Sequence, residues 1–186
     1  YDTVKEYVDV ESFARCYIVE ELFKNVDYAV SSTRFYVKDN KLHEGPVWDF
    51  DLSSGNCSST YYQAYNNVGG SGLSYEGLYC VGLFNQHLFR YEEFTQLVSD
   101  LYRELQPVIV NLYEDNELGP NQIDRLLEEC RSEIDRNYTL WSLKKVYGSY
   151  EHKPVDGTYD GEIAYLKNWL KMRNLWLYDQ YCRSAS

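Results

Sequence analysis

The segment from Asn25 to Asp51 constrains the fold most, because it interrupts an otherwise helical pattern with a predicted β-hairpin. Residues 33–37 form a β-prone run, and Asp39-Asn40 is typical of a hairpin turn. The following run, Lys41 to Trp48, is predicted to be the return strand and to end at Asp49. The hairpin should therefore bring Asp27, which precedes it, and Asp49, which follows it, to the same end of a short two-stranded unit.

The rest of the chain reads as helices. Asp9 is a plausible N-cap for a first helix that ends near Lys24-Asn25. Pro107 should end or kink a later helix, and Gly119-Pro120 should separate it from the next one. We therefore predict a mostly helical α+β fold, with residues 1–186 forming a single domain. Three later helices are predicted from apolar residues at helical spacing: Phe94, Leu97, Val98, Leu101 and Leu105; Ile123, Leu126, Leu127, Cys130, Ile134, Tyr138 and Trp141; and Ile163, Leu166, Leu170 and Leu177.

The charge balance excludes some classes of partner. The formal net charge is -11, with acidic residues spread along the whole chain. Nucleic-acid backbones and anionic membrane surfaces both require a basic face, so neither is an expected partner. ATP remains compatible, because a bound divalent cation reverses the local field. No apolar run approaches the roughly 20 residues needed to cross a bilayer.

The five cysteines do not form a zinc motif, since there is no CxxC pair and no histidine at zinc spacing. Cys16 and Cys130 lie in helical patterns on apolar faces, which predicts that both belong to the core. Cys57 and Cys80 flank a segment rich in Gly, Ser and Tyr. They could form a disulfide if the protein is exported, so the redox compartment stays open.

The carboxylates around the hairpin are the candidate chemistry. Asp49 and Asp51 are two residues apart, and on an extended strand they would point to the same face. Hard cations such as Mg²⁺ are held by one or two carboxylates together with phosphate and water oxygens. Phosphoryl transfer needs such a cation and a separate aspartate for the attacking hydroxyl, for which Asp27 is the candidate and Asn25 its support. Spacing alone also fits aspartates that merely cap helices and turns.

Several ordered motifs make the chain resemble the CotH-like family, named for spore coat protein H. The resemblance spans nearly all 186 residues, and the agreement of several motifs in order is more specific than any one of them. The matching stretches are Asp9-Val10-Glu11-Ser12-Phe13, Asn25-Val26-Asp27, Phe35-Tyr36, Pro46-Val47-Trp48-Asp49-Phe50-Asp51, Leu83-Phe84-Asn85-Gln86, Glu93-Phe94, Arg136-Asn137-Tyr138 with Trp141, and Tyr165-Leu166-Lys167-Asn168-Trp169-Leu170.

This resemblance implies a protein-kinase-like C-lobe with a small hairpin near the active site. It implies transfer of the ATP γ-phosphate to Ser or Thr of a protein, with Mg²⁺ or Mn²⁺ as cofactor. By the match of motifs, Asp27 corresponds to the aspartate that accepts the substrate hydroxyl proton. Asp49 corresponds to the aspartate that holds the metal against the phosphates, and Asp51 and Asn25 are supporting positions.

Two departures from the family pattern limit what the resemblance implies. Ser32 stands five residues after Asp27, where many family members have an asparagine at a second metal; a hydroxyl is a weaker ligand than an amide carbonyl. No candidate for a phosphate-covering loop or an ATP-contacting lysine lies upstream of Asp27. We therefore expect the chain to be the C-terminal, metal-binding part of the domain, with the N-lobe missing, and to be inactive alone.

The resemblance leaves alternatives to an active kinase. The expected protein substrate is a secreted or spore-coat protein, which places the chain outside the bacterial cell or on the spore surface. CotH-like domains also resemble modules of large extracellular proteins, including cellulosome-type assemblies on plant polysaccharide. The acidic chain, with its 20 tyrosines, would then be a non-catalytic attachment or carbohydrate-contact module. A folded remnant whose apolar patch marks the missing half is the third alternative.

Overall fold

The computed structural model describes residues 1–28, 30–57, 74–82, 84–142 and 157–183. Within these ranges the chain is mostly helical with one small antiparallel sheet, so the predicted α+β class is confirmed. Residues 58–73, which make up most of the Gly/Ser/Tyr-rich segment between Cys57 and Cys80, lie outside the described residues. The elements are α1 (Asp2–Tyr7), α2 (Val10–Phe23), β1 (Phe35–Lys38), β2 (Lys41–Glu44), α3 (Asn85–Leu88), α4 (Glu92–Glu104), α5 (Gln106–Val110), α6 (Gln122–Leu140), α7 (Tyr159–Tyr178) and a short π-helix (Asp179–Arg183).

Helix α2 begins and ends where local chemistry predicts. The Asp9 carboxylate accepts a 2.8 Å hydrogen bond from the backbone N–H of Ser12, which satisfies one of the free donors of the first turn. At the other end Lys24 adopts a left-handed conformation with φ 48°, and its N–H donates to the last carbonyls of the helix. Helix α1, which precedes α2, was not predicted.

The hairpin forms, but its second strand is shorter than the sequence indicates. Asp39 and Asn40 both have positive φ, as a tight turn between antiparallel strands requires, and Lys38 pairs with Lys41. Strand β2 ends at Glu44 rather than at Trp48, so the prediction of a strand reaching Asp49 was wrong. The physical reason is the next dipeptide, because Pro46 has no N–H to donate to a sheet and Gly45 takes φ 122°.

The main core lies between α2, α4, α7 and the π-helix. Tyr17 stands at its centre, with ring contact to Phe89 at 4.8 Å and a 2.6 Å hydroxyl contact to Tyr181. Phe94, Val98 and Leu101 of the predicted stripe are buried here, and Leu97 and Leu105 are half-buried. Pro107 lies in the first turn of the short helix α5, which follows α4. The buried hydrophobic residues of this core are Phe13, Ala14, Tyr17, Ile18, Leu22, Tyr28, Cys80, Leu88, Phe94, Val98, Leu101, Tyr102, Ile109, Leu177 and Tyr181.

Helix α6 lies largely outside the core, although its apolar stripe is regular. None of its residues is buried, and Leu126 is 52% exposed. Cys130 is exposed as well, so the prediction that it belongs to the core was wrong; periodicity reports that a helix has an apolar face, not that a neighbour covers it. Cys57 and Cys80 are both buried and are not joined by a disulfide.

A buried ion pair joins two distant helices. Arg173 of α7 and Glu21 of α2 are both almost fully buried and form a salt bridge. The Arg173 guanidinium also donates to the carbonyls of Tyr75 and Gly77, each at 2.8 Å. The pair thereby holds the segment after residue 73 against both helices. Over the described ranges, no helix has the length and apolar character that a bilayer crossing demands.

Candidate functional site

The site begins in the turn that follows helix α2. Asn25 and Val26 are buried, and the Val26 N–H donates to the carbonyl of Leu52 at 3.2 Å. The chain then wraps around the carbonyl of Asp27, which accepts from the N–H groups of residues 30, 31 and 32 at 3.0–3.2 Å. This wrapping fixes the backbone at Asp27 while its side chain stays partly exposed.

Asn25 connects this turn to the segment that follows the hairpin. Its amide donates to the carbonyl of Asp49 at 3.2 Å and to the carbonyl of Trp48 at 3.4 Å. Its side-chain oxygen accepts from the N–H of Asp27 at 3.2 Å. A single fully buried side chain therefore fixes the backbone of both candidate aspartates relative to each other. Such a group is costly to bury unless it is hydrogen-bonded, which is the case here.

Asp49 and Asp51 lie close together, although not on a strand. Asp49 has φ 64°, in the left-handed region, and Asp51 lies in a turn. The prediction that the two residues lie on one face of an extended strand was therefore wrong. The carboxylate of Asp51 raises the pKa of Asp49, with further contributions from partial desolvation, a hydrogen bond between the two carboxyl groups, and the charge of Asp27. Arg34 acts in the opposite direction. Asp49 and Asp51 are thus neighbouring exposed carboxylates, and the charge of Asp27 adds to the rise in the pKa of Asp49.

Ser32 occupies a different place from Asp49 and Asp51. Its side chain is 1% exposed and lines a small pocket with Glu20, Glu44 and Pro46. Its hydroxyl has no hydrogen-bond partner among the described residues. Its assignment as a metal ligand beside Asp49 stays a prediction. In the described part of the chain, no three His, Cys, Asp or Glu side chains are arranged so that they could hold a metal ion.

Tyr79 supports the Asp27 turn from behind, a role that sequence reasoning missed. The Tyr79 hydroxyl donates to the carbonyl of Val26 at 2.7 Å. Its own backbone N–H donates to the buried carboxylate of Glu21 at 2.8 Å, so the Glu21–Arg173 pair fixes this support. The available signal was Glu20-Glu21 in an otherwise apolar stripe of α2, since charged residues are seldom buried without a partner.

A second support runs through Tyr28. Its hydroxyl donates to Glu44 at 2.7 Å and accepts from the amide of Asn85 at 2.6 Å. Asn85 also donates to the carbonyl of Cys80 at 3.2 Å. This chain of buried bonds links the end of β2 to α3 beneath the turn that holds Asp27. Nothing local in the sequence connects these residues, which are up to 57 positions apart.

The comparisons with known proteins identify the family. A family model described as CotH kinase protein matches residues 1–177 of the 186-residue chain. The chain belongs to the CotH kinase family. The resemblance seen in the motifs is therefore confirmed. No curated protein and no solved structure matches the chain, so the kinase-like C-lobe architecture of this CotH family member stays a prediction.

The carboxylates of Asp49 and Asp51 fit the Mg²⁺ that membership of the CotH kinase family implies. Magnesium keeps several waters and is held in phosphate-transfer sites by one or two carboxylates plus substrate phosphates. Asp49 and Asp51 form such a pair, and the raised pKa of Asp49 reflects carboxylate repulsion that a divalent cation would relieve. Both side chains are exposed, which leaves them accessible to a hydrated cation and its nucleotide.

Proposed function

We propose that this CotH family member supplies the catalytic, metal-binding part of an enzyme that transfers the γ-phosphate of ATP to Ser or Thr of a secreted or spore-coat protein. The observation that carries the proposal is the Asn25 side chain, which fixes Asp27 and Asp49 to each other through three hydrogen bonds. Phosphoryl transfer depends mainly on positioning and electrostatics, so a rigid link between two acidic positions is the element it needs.

Asp27 acts in this proposal as the residue that accepts the proton of the substrate hydroxyl. Its backbone is fixed by three N–H donors and by Asn25, while its side chain remains partly open to a substrate. A fixed carboxylate beside an exposed surface can orient a Ser or Thr hydroxyl for attack and take up its proton.

Asp49 and Asp51 hold the divalent cation in this proposal. When bound, Mg²⁺ or Mn²⁺ would neutralise charge on the β- and γ-phosphates. Asp49 lies in a left-handed backbone conformation, which is uncommon for a residue with a side chain and is found often at functional positions. Arg34, whose positive charge lowers the pKa of Asp49, would add positive charge to this side of the site.

The phosphate-covering loop and the ATP-contacting lysine belong, in this proposal, to a partner N-lobe. Exposed aromatic and aliphatic side chains near the hairpin offer a surface for such a lobe: Tyr7, Phe35, Tyr36, Val37, Val47, Trp48 and Phe84 are each at least 37% exposed. The same surface supports a second candidate function, a non-catalytic extracellular module that contacts a protein or carbohydrate. Trp48, which is 56% exposed, would then serve the contact rather than the nucleotide.

Phosphate transfer from γ-labelled ATP tests the proposal. The full-length product of the gene, with Mg²⁺ or Mn²⁺ and a Ser-rich acceptor protein, should become labelled or label the acceptor. Asp27→Asn and Asp49→Asn should each abolish transfer, whereas Asp39→Asn, in the exposed hairpin turn, should not. Absence of transfer by the wild-type protein, together with partner binding that survives Asp49→Ala, would favour the contact module instead.

A further inference from the structure

A cluster of buried oxygen atoms without partners lies beside the candidate active site. Glu20, Ser32 and Glu44 are 2%, 1% and 5% exposed and line the same pocket. One carboxylate oxygen of each glutamate and the hydroxyl of Ser32 have no hydrogen-bond partner within the described ranges. Buried oxygens are nearly always satisfied in folded proteins, so three of them around one pocket indicate that something else satisfies them.

Protein groups do not neutralise the two glutamates. In the described part of the chain neither carboxylate takes part in an ion pair, and the nearby Arg34 guanidinium donates to the carbonyls of Ser31 and Thr33. Glu44 receives one hydrogen bond from Tyr28, which leaves its second oxygen unpaired. The thiol of Cys16 is directed to the Glu44 backbone carbonyl at 3.3 Å. The two carboxyl groups therefore face the pocket without an ion-pair partner among the described residues, although Arg34 lines the same pocket.

Neither a proton shared between the two glutamates nor a water molecule satisfies these atoms in the observed arrangement. The free oxygens of Glu20 and Glu44 do not hydrogen-bond to each other, so a shared proton does not bridge them. The pocket leaves no room for a water molecule. A bare cation differs from both, because it binds oxygen at about 2.0–2.6 Å, closer than a water can approach. The donor set, two carboxylates and one hydroxyl, is the hard-oxygen type that such cations prefer.

We propose that Glu20, Glu44 and Ser32 bind one divalent cation of the Ca²⁺ or Mn²⁺ type in a buried structural site, distinct from the exposed Asp49–Asp51 position. Mg²⁺ sheds its water reluctantly and fits a dry pocket less well. The site joins α2, the loop before β1 and the end of β2, so the cation would fasten the hairpin to the helix that precedes Asp27. This inference does not depend on phosphate transfer and can hold if the chain is not a kinase.

Thermal unfolding of the chelator-treated chain tests the site. At Ca²⁺ or Mn²⁺ concentrations a hundredfold above Kd, the wild-type midpoint should rise by about 5 °C or more. The rise should persist in D49N/D51N and disappear in E20Q/E44Q, whose amides keep the shape but remove the charges. Titration of Mn²⁺ alone, followed by its electron spin resonance signal, should show one site fewer in E20Q/E44Q than in the wild type.

Measurements on the wild type and on these variants can each overturn the proposal. No Ca²⁺ or Mn²⁺ effect on its midpoint would show that the glutamates are simply protonated and the site does not exist. A rise that disappears in D49N/D51N and persists in E20Q/E44Q would assign all binding to the exposed aspartates and equally overturn it. If E20Q/E44Q does not fold, S32A and E44Q are compared singly by Mn²⁺ titration, and unchanged stoichiometry in both contradicts the site. Loss of phosphate transfer in D49N with the metal effect intact would separate this proposal from the kinase proposal.

Discussion

The Asn25 side chain donates a 3.2 Å hydrogen bond to the backbone carbonyl of Asp49, across 24 positions of sequence. Because the same side chain also accepts from the N–H of Asp27, it links the backbones of the two aspartates proposed to act together. The link is between backbones, so it positions both side chains without occupying either. This arrangement leads to a prediction about catalysis rather than about metal affinity alone.

Asn25→Ala should lower kcat for phosphate transfer by about 10²-fold, with a much smaller change in KM, because misplacement of reacting groups by about 1 Å has effects of this size. Steady-state kinetics of the full-length gene product would measure it. Asn116→Ala is the matched control, since that amide donates to the Pro107 carbonyl in an exposed turn far along the chain. Equal kinetics for wild type and Asn25→Ala would contradict the positioning role.

Tyr79→Phe should lower both stability and kcat. The substitution removes only the hydroxyl that donates to the Val26 carbonyl at 2.7 Å, and it leaves that buried acceptor without its partner. We expect a loss of about 1–2 kcal/mol in the free energy of unfolding. Urea denaturation measures this loss, with Tyr36→Phe on the exposed face of the hairpin as the control. Two variants of equal stability would show that the Tyr79 hydroxyl does not support the turn.

Arg173→Ala should be strongly destabilising, by about 3–5 kcal/mol, because it leaves the buried Glu21 carboxylate without its counter-charge. The segment at Tyr75 and Gly77 would lose its anchor as well. Arg15→Ala, which removes an exposed helical pair with Glu11, should cost less than about 1 kcal/mol. Chemical denaturation of both variants measures the difference. Similar losses for the two arginines would contradict the importance of the buried pair.

The metal-free protein should lose stability as the pH rises from about 4.5 to about 7. Burial raises the pKa of Glu20 and that of Glu44 from an ordinary 4.5 to about 7 in each case. Between those values the folded protein binds more protons than the unfolded chain, so the free energy of unfolding falls with rising pH and levels off above the folded pKa. E20Q/E44Q should flatten this slope in denaturation measured with chelator present; an unchanged slope would assign it to other groups.

The elements predicted well are those specified by neighbouring residues. Asp9 caps α2 through Ser12, three residues away, and Asp39-Asn40 turns the hairpin by its own backbone preference. The short strand β2 shows the limit of such reasoning, because β-propensity continued to Trp48 while Gly45-Pro46 ended the pairing. The sequence pattern located strand β2 correctly, but the predicted end of its hydrogen bonding was wrong.

The unpredicted features depend on contacts between distant residues. The Glu21–Arg173 pair spans 152 positions, and nothing in either local pattern indicates the other. The apolar stripe of α6 predicted burial that the described structure does not provide. For the site, the motif match singled out Asp27, Asp49 and Asp51, whose roles stay predictions, but not the half-buried Tyr79 and the buried Glu44 that support the Asp27 turn.

Binding of Mn²⁺–ATP, measured by calorimetry on the full-length gene product, tests the central claim most directly: Asp49 holds the metal–nucleotide while Asp27 serves the hydroxyl. Asp49→Asn should weaken binding by about tenfold or more, since loss of a charge-assisted contact of this kind amounts to about 1.5–3 kcal/mol. Asp27→Asn should bind nearly as well as the wild type while losing transfer. Equal binding by the wild type and Asp49→Asn, or no Mn²⁺–ATP binding at all, would contradict the account.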